Sequence, residues 1–306
     1  MKKFIVKITI IAIILFGVDR IIGYSMKYVN DHIEVGGMGR DNYICNEADE
    51  DILIFGSSRA VHHYNAKMIE DSLGLSCYNC GDDGNGVILN YARLLMCKER
   101  KSPKYIIFDV ASGFDLELND NHKYLSWIRN RFDRKGVSDI FKKIDEKEAY
   151  KMLCHTYRYN TRFLQNLIVY ITGISSDAGI QGFRPIHEEF DMLKIKNNRE
   201  VKPLELDSIK FFYLKEFIKE SKESTLIFVY SPIWYGADKS KVQPLIELCK
   251  ENNISYIDFS NDSKYIHNNR FFKDGTHLNA TGADEFTKDF INILRFRYNT
   301  DTFAEK

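Results

Sequence analysis

The stretch that decides the fold is DILIFGSS at residues 51–58, where a short apolar run ends in a glycine and two serines. Similar runs, rich in Ile, Val, Phe or Tyr, occur at 75–79, 104–110, 224–230 and 254–259. Short continuous apolar runs are typical of parallel strands that are buried on both faces. Because helical stretches alternate with them, the sequence predicts an α/β fold: a doubly wound, flavodoxin-like parallel sheet of five strands, 51–56 being the first, between helix layers.

Helices of this domain are predicted at 60–73, 86–99, 205–221, 239–252 and 280–295. A connection at about 113–204 separates the third strand from the fourth, and it has helical stretches near 138–154 and 157–172. A connection of that length is rarely a plain loop. We therefore expect one α/β domain over residues 51–298, with a helical insertion at about 113–204.

Two segments supply the residue types of a nucleophile and its base. Ser58 lies in the turn after the first strand, at the edge of the sheet where α/β proteins keep their ligand sites. Asp274-Gly275-Thr276-His277 follows the strand-like stretch 269–273, and its carboxylate can orient its imidazole to accept a proton from a hydroxyl. Each residue also has an ordinary interpretation, because serine and aspartate often cap helices and histidine is common at surfaces.

A glycine-containing turn follows the second strand. It reads Asn79-Cys80-Gly81-Asp82-Asp83-Gly84. Glycine lets backbone N–H groups approach a ligand closely, and such donors can form an oxyanion hole. The order along the chain is therefore serine, glycine turn and Asp-x-x-His.

These residues resemble the SGNH, or GDSL-type, hydrolase superfamily. Gly56-Ser57-Ser58 matches its first block, Asn79-x-Gly81-x-x-Gly84 its second, and Asp274-x-x-His277 its last. The resemblance implies that Ser58 is the nucleophile, that Asp274 and His277 complete a catalytic triad, and that the N–H groups of Ser58 and Gly84 hold the oxyanion. The third block normally contains an asparagine, but residues 109–113 read Asp-Val-Ala-Ser-Gly, which leaves one oxyanion donor unassigned.

Other residues near these motifs are candidates for substrate contact. Ser57 replaces the acidic residue that usually precedes the serine, and it is the alternative nucleophile. Arg59 would attract an anionic polymer or be an exposed arginine with no special role, and Asp109, near the end of the third strand, would line the site or be only a loop acid. His62 and His63 follow in the next helix, and we expect them on the solvent or substrate side and not in catalysis.

Composition narrows the classes of function. The chain has 306 residues with 43 basic and 43 acidic side chains, so it lacks the basic surplus that phosphate binding requires, and no nucleic-acid partner is expected. The six cysteines and eight histidines show no zinc-like spacing. No metal and no cofactor are predicted, and a metal-dependent phosphoesterase is therefore disfavoured.

The N-terminus predicts a membrane anchor. Lys2 and Lys3 precede an apolar run from residue 4 to about 24, close to the ~20 residues that span a bilayer. The basic flank favours a cytoplasmic N-terminus, so residues 1–24 would be a single-pass anchor of the cytoplasmic membrane, with the catalytic domain outside. A cleaved signal peptide is the alternative. Residues 25–50 are polar and glycine-containing, and are predicted to be a juxtamembrane stalk.

The resemblance, together with this anchor, implies a class of substrate. Membrane-anchored members of the superfamily modify cell-surface polymers, and include polysaccharide O-acetylation proteins and D-alanyl transfer proteins of teichoic acid. We therefore expect an esterase or O-acyltransferase that acts on an acylated glycopolymer or acyl donor, with a multi-span membrane acyltransferase as partner. The alternative is a catalytically silent docking or acyl-carrier protein, because the asparagine of the third block is missing.

Overall fold

A computed structural model of the chain describes residues 1–175, 179–192 and 203–298. Its sheet has five strands, β1 Ile52–Gly56, β2 Cys77–Asn79, β3 Tyr105–Asp109, β4 Thr225–Tyr230 and β5 Ser255–Asp258. All neighbouring strands run parallel in the order β2-β1-β3-β4-β5, a common doubly wound order. Each strand lies within two residues of its predicted position, so the five-stranded parallel α/β sheet is confirmed.

Most of the predicted α-helices are shorter than expected, the last one is longer, and further helices occur. The α-helices are α1 Lys2–Asp31, α2 Gly36–Asn46, α3 Ser58–His63, α4 Ala66–Leu73, α5 Val87–Lys98, α6 Ser112–Asp115, α7 His122–Ile128, α8 Val137–Ile144, α9 Glu146–Lys151, α10 His155–Tyr159, α11 Phe163–Thr172, α12 Ser208–Glu220, α13 Gln243–Glu251 and α14 Ala280–Tyr298. Short 3-10 turns occupy Arg129–Arg131, Lys239–Val242 and Asn269–Phe271. The helix predicted at 60–73 is two helices, because Asn65 caps α4 by accepting the N–H of Met68.

The chain divides into two compact units. One contains the described residues of Glu47–Asn119 and Gly179–Lys306 and includes the whole sheet. The other contains those of Met1–Asn46 and Asp120–Ala178 and is helical. The predicted insertion at 113–204 is thus divided: its first residues and residues 179–192 belong to the sheet unit.

Alternate strand residues of the sheet unit face different helix layers. Phe55 and Phe108 pack edge to face against Phe217 of α12, with ring centroids 5.5 and 5.0 Å apart. Ile54 belongs to the opposite layer, a buried cluster that also contains Phe286 of α14. Complete burial of such side chains stabilises the fold by roughly 1.5–3 kcal/mol each. The strands are therefore covered on both faces, as their unbroken apolar runs indicate.

The helical unit is held by buried polar contacts. Asn30 in α1 donates its side-chain amide to the Tyr159 carbonyl of α10 at 3.1 Å. Asp19 accepts the backbone N–H groups of His155 and Thr156, at the start of α10, at 2.9 Å each. Burial opposes ionisation of Asp19, but these contacts outweigh it and hold the pKa of the carboxyl below its ordinary value. A polar residue of α1 thus caps the N-terminus of another helix.

The structure differs from the sequence predictions in three segments. In the part of the chain that the structure describes, no helix has both the length and the apolar character needed to cross a membrane, whereas an anchor is predicted at residues 1–24. Those residues belong to α1, whose apolar sequence is interrupted by charges, Lys7, Asp19 and Arg20 among them. Much of the predicted stalk at 25–50 is helical, in the end of α1 and in α2. The stretch 269–273 is a 3-10 turn followed by an isolated bridge between Phe272 and Leu278.

Candidate active site

Ser58 is the first residue of α3, directly after β1. The turn is tight: Gly56 has φ +144°, and a Cβ there would lie 2.6 Å from the Asp109 carbonyl oxygen. Ser57 precedes the helix in an extended conformation and makes no capping hydrogen bond. The first N–H groups of a helix have no acceptor within it, so the N–H of Ser58 is one of the donors at this edge of the sheet.

The structure brings the three predicted triad residues together. Ser58 Oγ lies 2.8 Å from His277 Nε2. His277 Nδ1 lies 2.9 and 3.1 Å from the two carboxylate oxygens of Asp274. Because a carboxylate can only accept, Nδ1 carries a proton and Nε2 is left to accept the hydroxyl proton of Ser58. These distances are the ones that a nucleophile, a base and a residue orienting the base would require.

Asp274 is fixed by its own turn. One of its oxygens also accepts the backbone N–H groups of Thr276 and His277, at 2.8 and 3.0 Å. Burial raises the pKa of Asp274, but the hydrogen bond and electrostatic interaction with His277, together with these two N–H groups, lower it more, so the pKa of the carboxyl lies well below its ordinary value. Gly275 is required by close packing, since a Cβ there would lie 2.1 Å from the ring of Tyr235.

The glycine turn after β2 is anchored under α3. The buried amide of Asn79 donates to the carbonyls of Ala60 and Tyr64, at 2.6 and 3.1 Å, and its oxygen accepts the N–H of Gly81. A Cβ at Gly81 would lie 2.7 Å from Ala60. Gly84 has φ +70° in the same turn, but it is not among the residues that line the cavity beside Ser58. Its role as an oxyanion donor stays a prediction.

A cavity of about 390 Å³ opens beside Ser58 and His277. Its walls combine hydroxyl groups with apolar side chains: Ser57, Ser58, Arg59, Ala111, Ser112, Gly113, Phe114, Tyr230, Ile233, Thr276 and His277. The sequence prediction missed the apolar part of this lining. The signal was present, since residues 111–114 follow β3 and residues 230–233 follow β4, and the carboxyl ends of parallel strands meet at one edge.

Two proposed substrate contacts are internal. Asp109 is completely buried, accepts the Tyr64 hydroxyl at 2.7 Å and lies 3.3 Å from the guanidinium of Arg59. Burial raises the pKa of Asp109, while the Arg59 charge and Ser231 act in the opposite direction. Arg59 borders the cavity but is only 4% exposed, donates to the Val110 carbonyl and lies over the Tyr230 ring. Their mutual pairing leaves neither charge available to attract a polymer.

Ser57 and the two histidines have different environments. The hydroxyl of Ser57 is buried in the cavity wall and has no hydrogen-bond partner among the described residues. His62 contacts the Arg184 carbonyl at 2.6 Å and Asp83 at 3.1 Å, and its ring centroid is 5.9 Å from that of His277. His63, by contrast, is fully buried, so its predicted position on the solvent or substrate side is wrong.

Within residues 1–175, 179–192 and 203–298, no group of three or more His, Cys, Asp or Glu side chains is arranged to hold a metal ion.

Comparisons with known proteins give weak similarity. No family model matches the chain, and no curated protein matches it. Among solved structures, a proposed acylhydrolase from Bacteroides fragilis is 14% identical with a TM-score of 0.36, over 81% of this chain and 88% of its own. A family two carbohydrate esterase from Clostridium thermocellum, in complex with cellohexaose, is 9% identical with a TM-score of 0.36. The match covers 81% of this chain and 65% of the esterase.

A third similar structure is an acetyl xylan esterase from the rumen bacterium Butyrivibrio proteoclasticus. It is 10% identical with a TM-score of 0.35, over 81% of this chain and 64% of its own. Likeness at this level does not establish activity.

Proposed function

We propose that this chain is a serine-dependent acyl ester hydrolase or O-acyltransferase of SGNH type. The observation that carries the proposal is the pair of contacts from Ser58 Oγ to His277 Nε2, at 2.8 Å, and from His277 Nδ1 to Asp274, at 2.9 Å. Both distances are within hydrogen-bonding range, and the cavity beside them has room for an ester.

In the first half of the reaction, Ser58 Oγ attacks the ester carbonyl carbon while its proton passes to His277 Nε2. Asp274 holds the imidazole in the required tautomer and stabilises the imidazolium that forms. When the tetrahedral intermediate collapses, the bond to the leaving oxygen breaks and His277 donates its proton to that oxygen. The acyl group is then esterified to Ser58.

In the second half, an acceptor hydroxyl attacks the acyl-enzyme. His277 takes the proton of the acceptor, the bond from the acyl carbon to Ser58 Oγ breaks, and His277 returns the proton to Ser58. Water as acceptor gives hydrolysis, and a sugar hydroxyl gives transfer. Phe114, Tyr230 and Ile233 provide the apolar surface against which a short acyl chain would pack.

Oxyanion stabilisation requires N–H or O–H donors aimed at the position of the developing charge. We assign the N–H of Ser58 as the first donor, because the first N–H groups of a helix have no acceptor within it. The N–H of Gly84 is the second donor in this proposal, and it rests on the resemblance of residues 79–84 to the second block.

The remaining parts of the proposal concern biology. An acylated cell-surface glycopolymer as substrate and a multi-span acyltransferase as partner rest on the family resemblance, and an extracytoplasmic location rests on the basic flank before the apolar stretch that starts at residue 4. Transfer is tested by incubating the full chain with an acetylated glycan and an acceptor oligosaccharide, and measuring acetyl-oligosaccharide by mass spectrometry. Location is tested by protease access to the chain in intact cells.

The experiment that tests the chemistry is hydrolysis of p-nitrophenyl acetate by the full chain. We expect turnover that falls by roughly 10³-fold or more in Ser58→Ala, and nearly as far in His277→Ala, because members of one triad act together. Ser57→Ala is the matched control, one residue away in the same turn, and it should keep most of the activity. A well-folded wild type with no turnover would instead favour the docking or acyl-carrier alternative.

A further inference from the structure

Behind the cavity, a chain of buried polar side chains connects the serine turn with the histidine turn. His63 lies at the end of α3, five residues after Ser58, and is completely buried. It accepts the backbone N–H of Leu278 on Nε2 at 3.0 Å. Leu278 directly follows His277. A side chain of the helix that begins with the nucleophile is thus bonded to the backbone next to the base.

The direction of these bonds fixes the state of His63. An N–H group can only donate, so Nε2 must be unprotonated and Nδ1 must carry the single proton. Nδ1 lies 3.0 Å from Ser231 Oγ, which is the acceptor this tautomer requires. Burial lowers the pKa of His63 well below 6.5, and the charges of Arg59, His277 and His62 add to this effect. His63 is therefore a neutral imidazole with both ring nitrogens bonded.

The chain continues through Ser231 to Asp109. Ser231 is fully buried at the end of β4, and it is among the groups that lower the pKa of Asp109 against the effect of burial. Asp109 in turn pairs with Arg59, which follows Ser58. The path thus returns to the nucleophile turn.

We infer that His63 is a positioning residue for the reaction proposed above: by accepting the Leu278 N–H, it fixes the backbone that presents His277 to Ser58. This role rests on the proposed function, since positioning has meaning only if the triad is active. His277 must keep Nε2 within hydrogen-bonding distance of Ser58 Oγ while Nδ1 stays on Asp274. A misplacement of about 1 Å at a reacting group can reduce a rate by roughly 10²-fold.

His63 links the turn that carries His277 to the helix that carries Ser58. The turn that carries His277 is held on its other side by the bond from Lys273 N to the His277 carbonyl, at 2.9 Å, and by the contacts of Asp274. Those bonds are internal to the segment 273–278. The bond to His63 instead ties the segment to α3, so it sets the distance between base and nucleophile and not only the shape of the turn.

Two substitutions at one position separate positioning from general core stability. His63→Gln carries an amide oxygen near the place of Nε2 and can still accept from Leu278. His63→Asn is shorter, reaches toward Ser231 and leaves the Leu278 N–H without its acceptor. We expect kcat to fall about 10- to 100-fold in His63→Asn with little change in KM, and His63→Gln to recover most of that loss. The assays are ester turnover and the rate of labelling by a fluorophosphonate.

A third variant controls for loss of packing. Phe286 lies edge to face with His63, 6.3 Å between ring centroids, is equally buried and forms no bond to the histidine turn. Phe286→Leu should lower the melting temperature at least as much as His63→Asn, yet keep kcat within about threefold of wild type. Nitrogen NMR of the imidazoles adds a readout free of activity, with wild-type His63 expected to be protonated on Nδ1 alone.

The outcomes separate the inference from the proposed function. An active wild type with kcat equal in His63→Asn, His63→Gln and Phe286→Leu would overturn the positioning role while the triad stands. The positioning role would also be overturned if NMR finds the proton of His63 on Nε2, because a protonated Nε2 cannot accept the N–H of Leu278. A folded wild type that neither turns over ester nor reacts with the probe overturns the proposed function, and the positioning role with it.

Discussion

Replacing Asp109 with alanine is expected to destabilise the sheet unit by about 3–5 kcal/mol, because Arg59 would keep its charge in a buried site without a counter-ion. The structure supplies the reasons for this magnitude. Asp109 is fully buried, Arg59 is 4% exposed, and their charged atoms are 3.3 Å apart. The Tyr64 hydroxyl also loses its acceptor, which is 2.7 Å away. Asp109→Asn, which keeps an acceptor for Tyr64, should cost less than Asp109→Ala.

The assay is guanidinium unfolding followed by tryptophan fluorescence. The two tryptophans lie in different units, Trp127 in the helical one and Trp234 in the sheet unit. A Trp127→Phe background therefore makes the signal specific for the sheet unit. The matched control is Asp71→Ala, which removes the exposed partner of Lys67 and should leave the midpoint of unfolding almost unchanged. In the double variant Arg59→Met with Asp109→Leu, much of the lost stability should return.

One pattern of results would refute this reasoning. If Asp109→Ala unfolds at the wild-type denaturant concentration but has a raised KM for ester substrates, Asp109 faces the substrate, as its position in the sequence suggests. A double variant no more stable than Asp109→Ala would show that the cost does not come from the uncompensated charge of Arg59.

Three further predictions concern the site. Asp274→Asn should lower kcat by roughly 10²- to 10⁴-fold with the fold intact, measured as ester turnover, because an amide no longer holds the required His277 tautomer; equal turnover would contradict this. Gly275→Ala should lower kcat while changing the unfolding free energy little, since the new methyl group must displace Tyr235 and the turn that carries His277. Unchanged kinetics would contradict this prediction. The buried neutral His63 has a folded-state pKa below 6.5, so the unfolded chain binds more protons below that pH. The unfolding free energy should fall by up to ~1.4 kcal/mol per pH unit from this residue as the pH drops below 6.5, and a His63→Gln curve of the same slope would refute this contribution.

The sheet was predictable because its strands are buried on both faces. Runs such as 51–56 and 224–230 are apolar without alternation, and only a parallel sheet covered by helices accommodates five of them. Ser58 and the Asp274–His277 segment could also be predicted from the sequence. The turn after a strand and the three-residue spacing between Asp274 and His277 are local features, which the sequence shows directly. The order of the strands then brings the two segments to one edge of the sheet.

The parts that sequence did not predict depend on long-range packing. Asp109 and Arg59 are charged residues close to the ends of β3 and β1, which suggests substrate contacts. In the structure they are buried and pair with each other, Asp109 from β3 and Arg59 from α3. His63 was assigned to the solvent or substrate side because nothing in its neighbours along the chain reveals Leu278, 215 residues away. The helical character of 25–50 was missed because its α2 begins with glycines and has no apolar stripe.

The most direct test of the central claim is to find which residue a fluorophosphonate modifies. The full-length wild type is treated with the probe, digested and mapped by tandem mass spectrometry, beside Ser58→Ala and Ser57→Ala. We expect one adduct, on Ser58, that is absent in Ser58→Ala, persists in Ser57→Ala and forms much more slowly in His277→Ala. Labelling that survives in Ser58→Ala and disappears in Ser57→Ala, or no adduct on a folded wild type, would contradict it.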